Sequence, residues 1–309
     1  MHKYFILLSF IISLEVCAGL THSKILFSNV DYSNQRWTSL FSHRTSNIQN
    51  LIDHLKRSEF GIKLLATARI KARKKNISLV TLITDAEQSY TDTTLVRRYD
   101  ERNLLNVKYQ TNETIYINRN HSVAQAVLDL AHELTHFCYK QQFNPYRDHL
   151  TVVDYIRHVI ESKGGEVSAF INECRIGNEL FLTKGKTDIH CKNYLSMAAR
   201  VGRQYLTRIF YQLGEYNTQF HRRMLEKWSL SKPFYGNLNK DIHFVSAVHG
   251  FPYPLAALVE YEEIISRSCE FEGQRLFKLS QLSESDFNSR KIWTVLKDKY
   301  ITRCSNFSL

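Results

Sequence analysis

The stretch that most constrains the fold is residues 122–140, SVAQAVLDLAHELTHFCYK. Val123, Ala126, Val127, Leu130, Leu134 and Phe137 recur every three or four residues, the period of an α-helix that buries one face. Ser122 stands just ahead of them, where its hydroxyl can accept a hydrogen bond from an orphan N–H of the first turn. Immediately upstream, TIYIN (Thr114 to Asn118) alternates apolar and polar residues and predicts a strand. A strand running into a long amphipathic helix makes this half of the chain mixed α and β.

The surrounding pattern agrees. Ile48, Leu51, Ile52, Leu55, Ile62, Leu65, Ala66 and Ile70 predict one long helix from Asn47 to about Lys71, kinked at Gly61. Ile77 to Thr84 is short and β-branched and predicts a strand. Residues 93–110 predict one or two more. NPYRDHL (Asn144 to Leu150) is a turn, and Thr151 with Asp154 caps a helix that runs to about Lys163. Gly164-Gly165 breaks it, and a second piece carries Glu166 to Leu180. Residues 191–230 and 255–304 are mostly helical. The expected class is α+β: an N-terminal half of small sheet plus helices, then a mainly helical C-terminal half. Apolar residues make up 43% of the 309 residues, enough for a real core.

The N-terminus predicts export. Met1 to Tyr4 is a short basic start, Phe5 to Leu14 is apolar, and Val16 and Ala18 fit a signal-peptidase site. The apolar run falls short of the ~20 residues that span a bilayer. The expected organisation is a signal peptide over 1–18, a catalytic region over 19–180 and a helical region over 181–309 packed on it. Lipidation at Cys17, which would tether the chain to the envelope, is the weaker alternative because Glu15-Val16 fit such a site badly. The expected location is therefore secreted, periplasmic or cell envelope. No later segment is apolar enough to cross a membrane.

Removing residues 1–18 takes away one Lys and one Glu and leaves the formal net charge at +11. The basic run RIKARKKN (Arg69 to Asn76) offers a patch for acidic surfaces, with a solvated helix end as the plainer reading. No nucleic-acid-binding signature accompanies it. Cleavage also removes Cys17 and leaves Cys138, Cys174, Cys191, Cys269 and Cys304. In an oxidising compartment, Cys174 with Cys191 and Cys269 with Cys304 are the candidate disulfides, and Cys138 is the candidate free thiol.

The polar residues of the 122–140 helix carry the chemistry. His132 and His136 lie one turn apart on one face and can point imidazole nitrogens at one ion. Glu133 sits beside them, placed to take a proton from a zinc-bound water. The plain alternative is a helix with two solvent-facing histidines. It leaves unexplained why an otherwise apolar helix gathers three titratable groups beside its buried face.

A tetrahedral catalytic zinc needs a third protein ligand. A histidine extension of the motif would place Gly at 139 and His at 142, and the chain has Tyr139 and Gln142. The remaining donors are glutamates on the next helices. Glu166 follows the flexible Gly164-Gly165 pair, with small Ala169 after it for close helix approach. Glu161 would point about 140° away from Glu166 on an unbroken helix. Glu173 shares the face of Glu166, two turns along. The order of preference is Glu166, Glu161, Glu173. Oxyanion stabilisers are sought among Tyr139, Tyr155, His158, His243, His249 and Tyr253, with Tyr155, His249 and Tyr253 foremost. TIYIN is expected to wall the cleft, its edge aligning an extended peptide.

AHELTHF resembles the zinc-binding helix of gluzincins, the thermolysin-like group with a downstream glutamate as third ligand. The stretch from Thr114 to Leu180, with NPY and IESKGGEVSAFINEC, is also similar to secreted HExxH proteins of Gram-negative, often predatory, bacteria. The resemblance covers about 70 residues. It implies a zincin-like fold, zinc on His132 and His136, and Glu133 as catalytic base. The spacer before the third glutamate differs from thermolysin's, and the NEA motif is missing.

The function expected from these readings is an exported zinc-dependent peptidase acting on a peptide or protein substrate. Two rivals stand beside it. One is a non-catalytic exported or envelope-tethered binding protein on a zincin scaffold. The other is a cell-wall peptide amidase or peptidase.

Overall fold

The computed structural model describes residues 34–100, 103–146, 151–181, 191, 195–196, 199–200, 202–216, 218–227, 244–283 and 287–305. The expected signal peptide, Cys17 and His243 lie outside these residues. The described fold is α+β, with a three-stranded sheet and helices followed by a mainly helical C-terminal half.

The first expected helix is two. Helix α1 spans Arg44–Leu55 and α2 spans Glu59–Lys74. The break falls at Ser58, not Gly61. The Ser58 hydroxyl accepts from the Gly61 N–H at 2.9 Å and caps α2. It also donates to the Glu179 carboxylate at 2.5 Å. Gly61 is needed for close approach instead of for a kink, because a Cβ there would lie 2.2 Å from the Leu55 carbonyl oxygen.

The segment Ile77 to Thr84, expected as a strand, is divided. Leu79–Leu82 forms a helical turn, α3, and β1 spans Ile83–Ala86. Leu79 and Leu82, three residues apart, are both buried, which one helical turn achieves and a strand does not. Strands β2 (Tyr90–Asp100) and β3 (Asn103–Asn118) form an antiparallel hairpin, and β1 pairs parallel with β3. The LLNVKYQ and TIYIN segments are thus one strand. The order is β1-β3-β2, so TIYIN is central. This corrects the expected edge role. Ile115 and Ile117 are fully buried, and an apolar strand of this kind belongs between two neighbours. The edge strand beside the next helix is β2.

Helix α4 spans Val123–Tyr139 and opens with a full capping box between Ser122 and Gln125. All six stripe residues are buried, and so are Ala124, Leu128 and Ala131 on other faces. A helix buried nearly all round sits at the centre of its layer, here against the sheet, α1, α2 and a later helix. Polar contacts fix both ends. Near its start, Asp129 accepts from Ser89 and from His121 Nδ1, the latter at 2.7 Å. Near its finish, the Lys71 ammonium donates to the Phe137 carbonyl oxygen, and Lys71 and Lys75 both pair with buried Glu113. Two cations of the basic run are therefore spent inside the fold.

The second half builds a separate cluster around α5 (Val152–Glu161), α6 (Glu166–Phe181), α7 (Arg203–Phe210), α8 (Gln219–Lys227), α9 (Tyr253–Ser283) and α10 (Phe287–Cys304). The sulfurs of Cys269 and Cys304 are at disulfide distance and tie α9 to α10. Those of Cys174 and Cys191 also pair, while Cys138 is unpaired. Burial pushes the Cys138 thiol up to about 12, which makes it a poor nucleophile. Helix α9 joins the two halves. Its Glu272 carboxylate pairs with Arg97 of β2 and with Arg275, and the Arg97 guanidinium lies 4.0 Å from the Tyr146 ring centroid. No described helix is long and apolar enough to cross a membrane.

Candidate metal centre

Helix α4 delivers two imidazoles and α6 a carboxylate to one point. Glu166, the first residue of α6, has one oxygen 3.2 Å from His132 Nε2 and the other 3.4 Å from His136 Nε2. The three donors lie within 4.8 Å of one another. Atoms bound at 2.0–2.1 Å to one ion at tetrahedral angles are about 3.3 Å apart, so the spacing of this donor set fits zinc. The set also leaves a tetrahedral ion one open position.

The far side of each ring is held. His132 Nδ1 lies 2.9 Å from Glu173 Oε2, and His136 Nδ1 lies 2.8 Å from the Gly164 carbonyl oxygen. A carbonyl oxygen can only accept, so His136 carries its proton on Nδ1 and turns Nε2 towards Glu166. Outer partners of this kind fix the tautomer and direction of a ligating histidine. Glu173, weighed as a third ligand, thus sits behind His132 instead of beside the donor set.

The Gly164-Gly165 turn makes this arrangement reachable. A Cβ on Gly164 would meet Lys140 N at 2.0 Å and Tyr139 C at 2.4 Å, both backbone atoms. A Cβ on Gly165 would meet the Val159 carbonyl oxygen at 2.6 Å. The turn thus lies directly on the C-terminal end of α4, and only glycine allows that contact. Arg203 clamps the turn from outside, donating to the carbonyl oxygen of Glu161 at 3.0 Å and to Ser168 Oγ at 2.6 Å.

Glu161 ends α5, and its carboxylate accepts from the Tyr211 hydroxyl at 2.5 Å. It is exposed and takes no part in the three-donor cluster.

Charge in the cluster is strongly coupled. Burial disfavours the His132 cation, but Glu166 and Glu173 outweigh it and hold the imidazole well above its ordinary 6.5. Burial likewise opposes the Glu166 anion, yet the two histidines keep it well below the usual carboxylate range. Glu133 behaves differently. Burial raises its pKa, and His136 and His132 offset that only in part. A carboxylate with a raised pKa beside a cationic site is a competent proton acceptor. Thr91 Oγ1, on β2, lies 2.8 Å from its Oε2.

The oxyanion candidates part company. Tyr253, first residue of α9, hydrogen-bonds Glu166, and burial with the nearby carboxylates holds its hydroxyl well above 10, a permanent donor. Tyr155 is buried in the second cluster against Phe143, Tyr261 and Glu260. His249 lies in the turn before α9, where its backbone N–H reaches Ser246 Oγ at 3.4 Å. Tyr139 stacks under Lys163, and His158 bonds the Gln141 carbonyl oxygen. Sequence reasoning missed Thr91 and Gly164 as parts of this centre. Gly164 was visible as a flexible pair. Thr91 carried no local signal.

The family profile described as the IrrE N-terminal-like domain, Peptidase_M78, matches residues 78–151. The match takes in the sheet from β1 onward and α4 with His132, Glu133 and His136, and stops short of Glu166. It supports a relationship to metallopeptidases for this segment. No curated protein and no solved structure matches the chain.

Proposed function

We propose that the chain is an exported zinc-dependent peptidase. The observation that carries this reading is the convergence of His132 Nε2, His136 Nε2 and both oxygens of Glu166, with buried Glu133 one residue from the first ligand. His132, His136 and Glu166 hold the ion, and Glu173 and Gly164 orient the two rings. When bound, zinc supplies a Lewis acid that makes water acidic near neutral pH and polarises the scissile carbonyl.

The chain's own groups do the rest. Glu133 accepts the proton as water attacks, and returns it to the leaving amine. Tyr253 stands beside Glu166, from which its single hydroxyl proton can shift to the negative charge that builds on the carbonyl oxygen. β2, the sheet edge beside α4, offers backbone groups along which an extended peptide aligns. The N-terminal signal pattern and the two cysteine pairs support export.

The test is digestion by the purified, zinc-loaded chain. Casein peptides are expected to be cut, with activity lost on chelation and restored by zinc. Cleavage of muropeptides with casein untouched moves the reading to a cell-wall peptidase. No cleavage of either by a zinc-replete chain overturns it.

A further inference from the structure

Thr91 stands in an unusual place. The register sets it opposite Ile115, on the sheet face where Ile115 and Ile117 pack under α4. A β-branched apolar residue would fill that position equally well, so packing alone does not call for a hydroxyl. Yet Thr91 Oγ1 lies 2.8 Å from Glu133 Oε2 and 3.0 Å from the Glu133 carbonyl oxygen. A hydroxyl has one proton to donate. Bonds to a charged acceptor are the stronger ones, which favours the carboxylate when it is ionised.

The strand that carries Thr91 is itself anchored. Six residues on, Arg97 is held by Glu272 of α9, the helix whose first residue, Tyr253, bonds Glu166. A single frame thus connects Glu133, β2, α9 and Glu166. The two carboxylates of the centre, which sit on different helices, are thereby linked through one set of contacts.

We propose that Thr91 is a positioning residue for the base. Its hydroxyl fixes the Glu133 rotamer by holding Oε2, so that Oε1 is the oxygen that receives the proton. This rests on the peptidase reading above, with Glu133 as base.

The test uses Thr91→Val and Thr91→Ser in the full chain. Thr91→Val is expected to lower kcat on a casein-derived peptide about 10- to 100-fold, the scale of a misplaced catalytic group, with KM and zinc content unchanged. Thr91→Ser, which keeps the hydroxyl, is expected to recover most of that loss. A second measurement needs no activity. In chelator-treated protein, the urea midpoints of Thr91→Val, Glu133→Ala and the double variant report whether the two side chains are coupled. Coupling makes the double variant lose less than the sum of the single losses. Full kcat in Thr91→Val, a Thr91→Ser no better than Thr91→Val, or strictly additive midpoints each overturn the proposal. If the parent chain cleaves no peptide, the peptidase reading falls, and the midpoints still decide whether Thr91 holds Glu133.

Discussion

Glu133→Gln is expected to lower peptide turnover by about 10³-fold or more while zinc content stays that of the parent, a loss within reach of removing one general base. The amide nearly matches the carboxylate in shape, and its oxygen can still accept from Thr91. What it lacks is the ability to take a proton from water and pass it on. Burial already works against the Glu133 anion, so exchanging it for a neutral amide costs little stability. The thermal midpoint should hold or rise slightly. Parallel measurement of kcat, metal content and melting temperature checks this. Turnover that survives the change removes Glu133 from the chemistry, whatever binds the metal.

The second large effect is structural. Gly164→Ala is expected to destabilise the chain by about 3 kcal/mol, at the upper end of the overpacking range, because the new methyl would collide with backbone instead of with a side chain that can swing away. For a chain of 309 residues that lowers the melting temperature by roughly 4–6 °C. The same shift pushes the Gly164 carbonyl off His136 Nδ1, so zinc affinity should fall with it, by about 10- to 100-fold for a lost outer partner. Gly273→Ala is the internal comparison. It lies within α9, and its Cβ would make ordinary contact with the Tyr300 hydroxyl oxygen at 3.4 Å and with its ring at 3.7 Å. Helix interiors favour Ala over Gly, so this variant should be neutral or slightly stabilising. Scanning calorimetry and zinc titration of the two variants separate a tight turn from a general sensitivity to added methyls.

The sequence was most legible where one local rule decided the outcome. The Ser122 cap, the buried stripe of α4 and the i, i+4 histidines all follow from helical period alone. Cys174–Cys191 and Cys269–Cys304 were legible only as candidate pairs, because spacing leaves connectivity open, and the fold brings both to disulfide distance. Legibility failed where distant segments compete. The Asn47 to Lys71 pattern is helical throughout, and what divides it is a hydroxyl at Ser58 that also answers Glu179, 121 residues away. TIYIN alternates like an edge strand, but the chain folds β2 back along it and β1 beside it.

The glutamates show the same limit. Glu161, Glu166 and Glu173 are alike as residues, and helical rotation ranks them only if the helix is continuous. The Gly164-Gly165 turn ends α5 and restarts the phase at Glu166, which sends the three carboxylates to Tyr211, the donor set and the back of His132. Thr91 is the clearest case. It lies 42 residues from Glu133, in a run of threonines with nothing to set it apart, and only the strand register brings it to that carboxylate.

Zinc content is the most direct measure of the central claim that His132, His136 and Glu166 bind one ion together. The parent chain, Glu161→Ala and Glu166→Ala would be equilibrated at the same limiting free zinc and analysed for bound metal. The parent and Glu161→Ala should each hold about one equivalent, and Glu166→Ala less than about a tenth, since a four-coordinate site loses one of its three protein donors. A parent chain without zinc, or three proteins that bind it equally, would contradict the account.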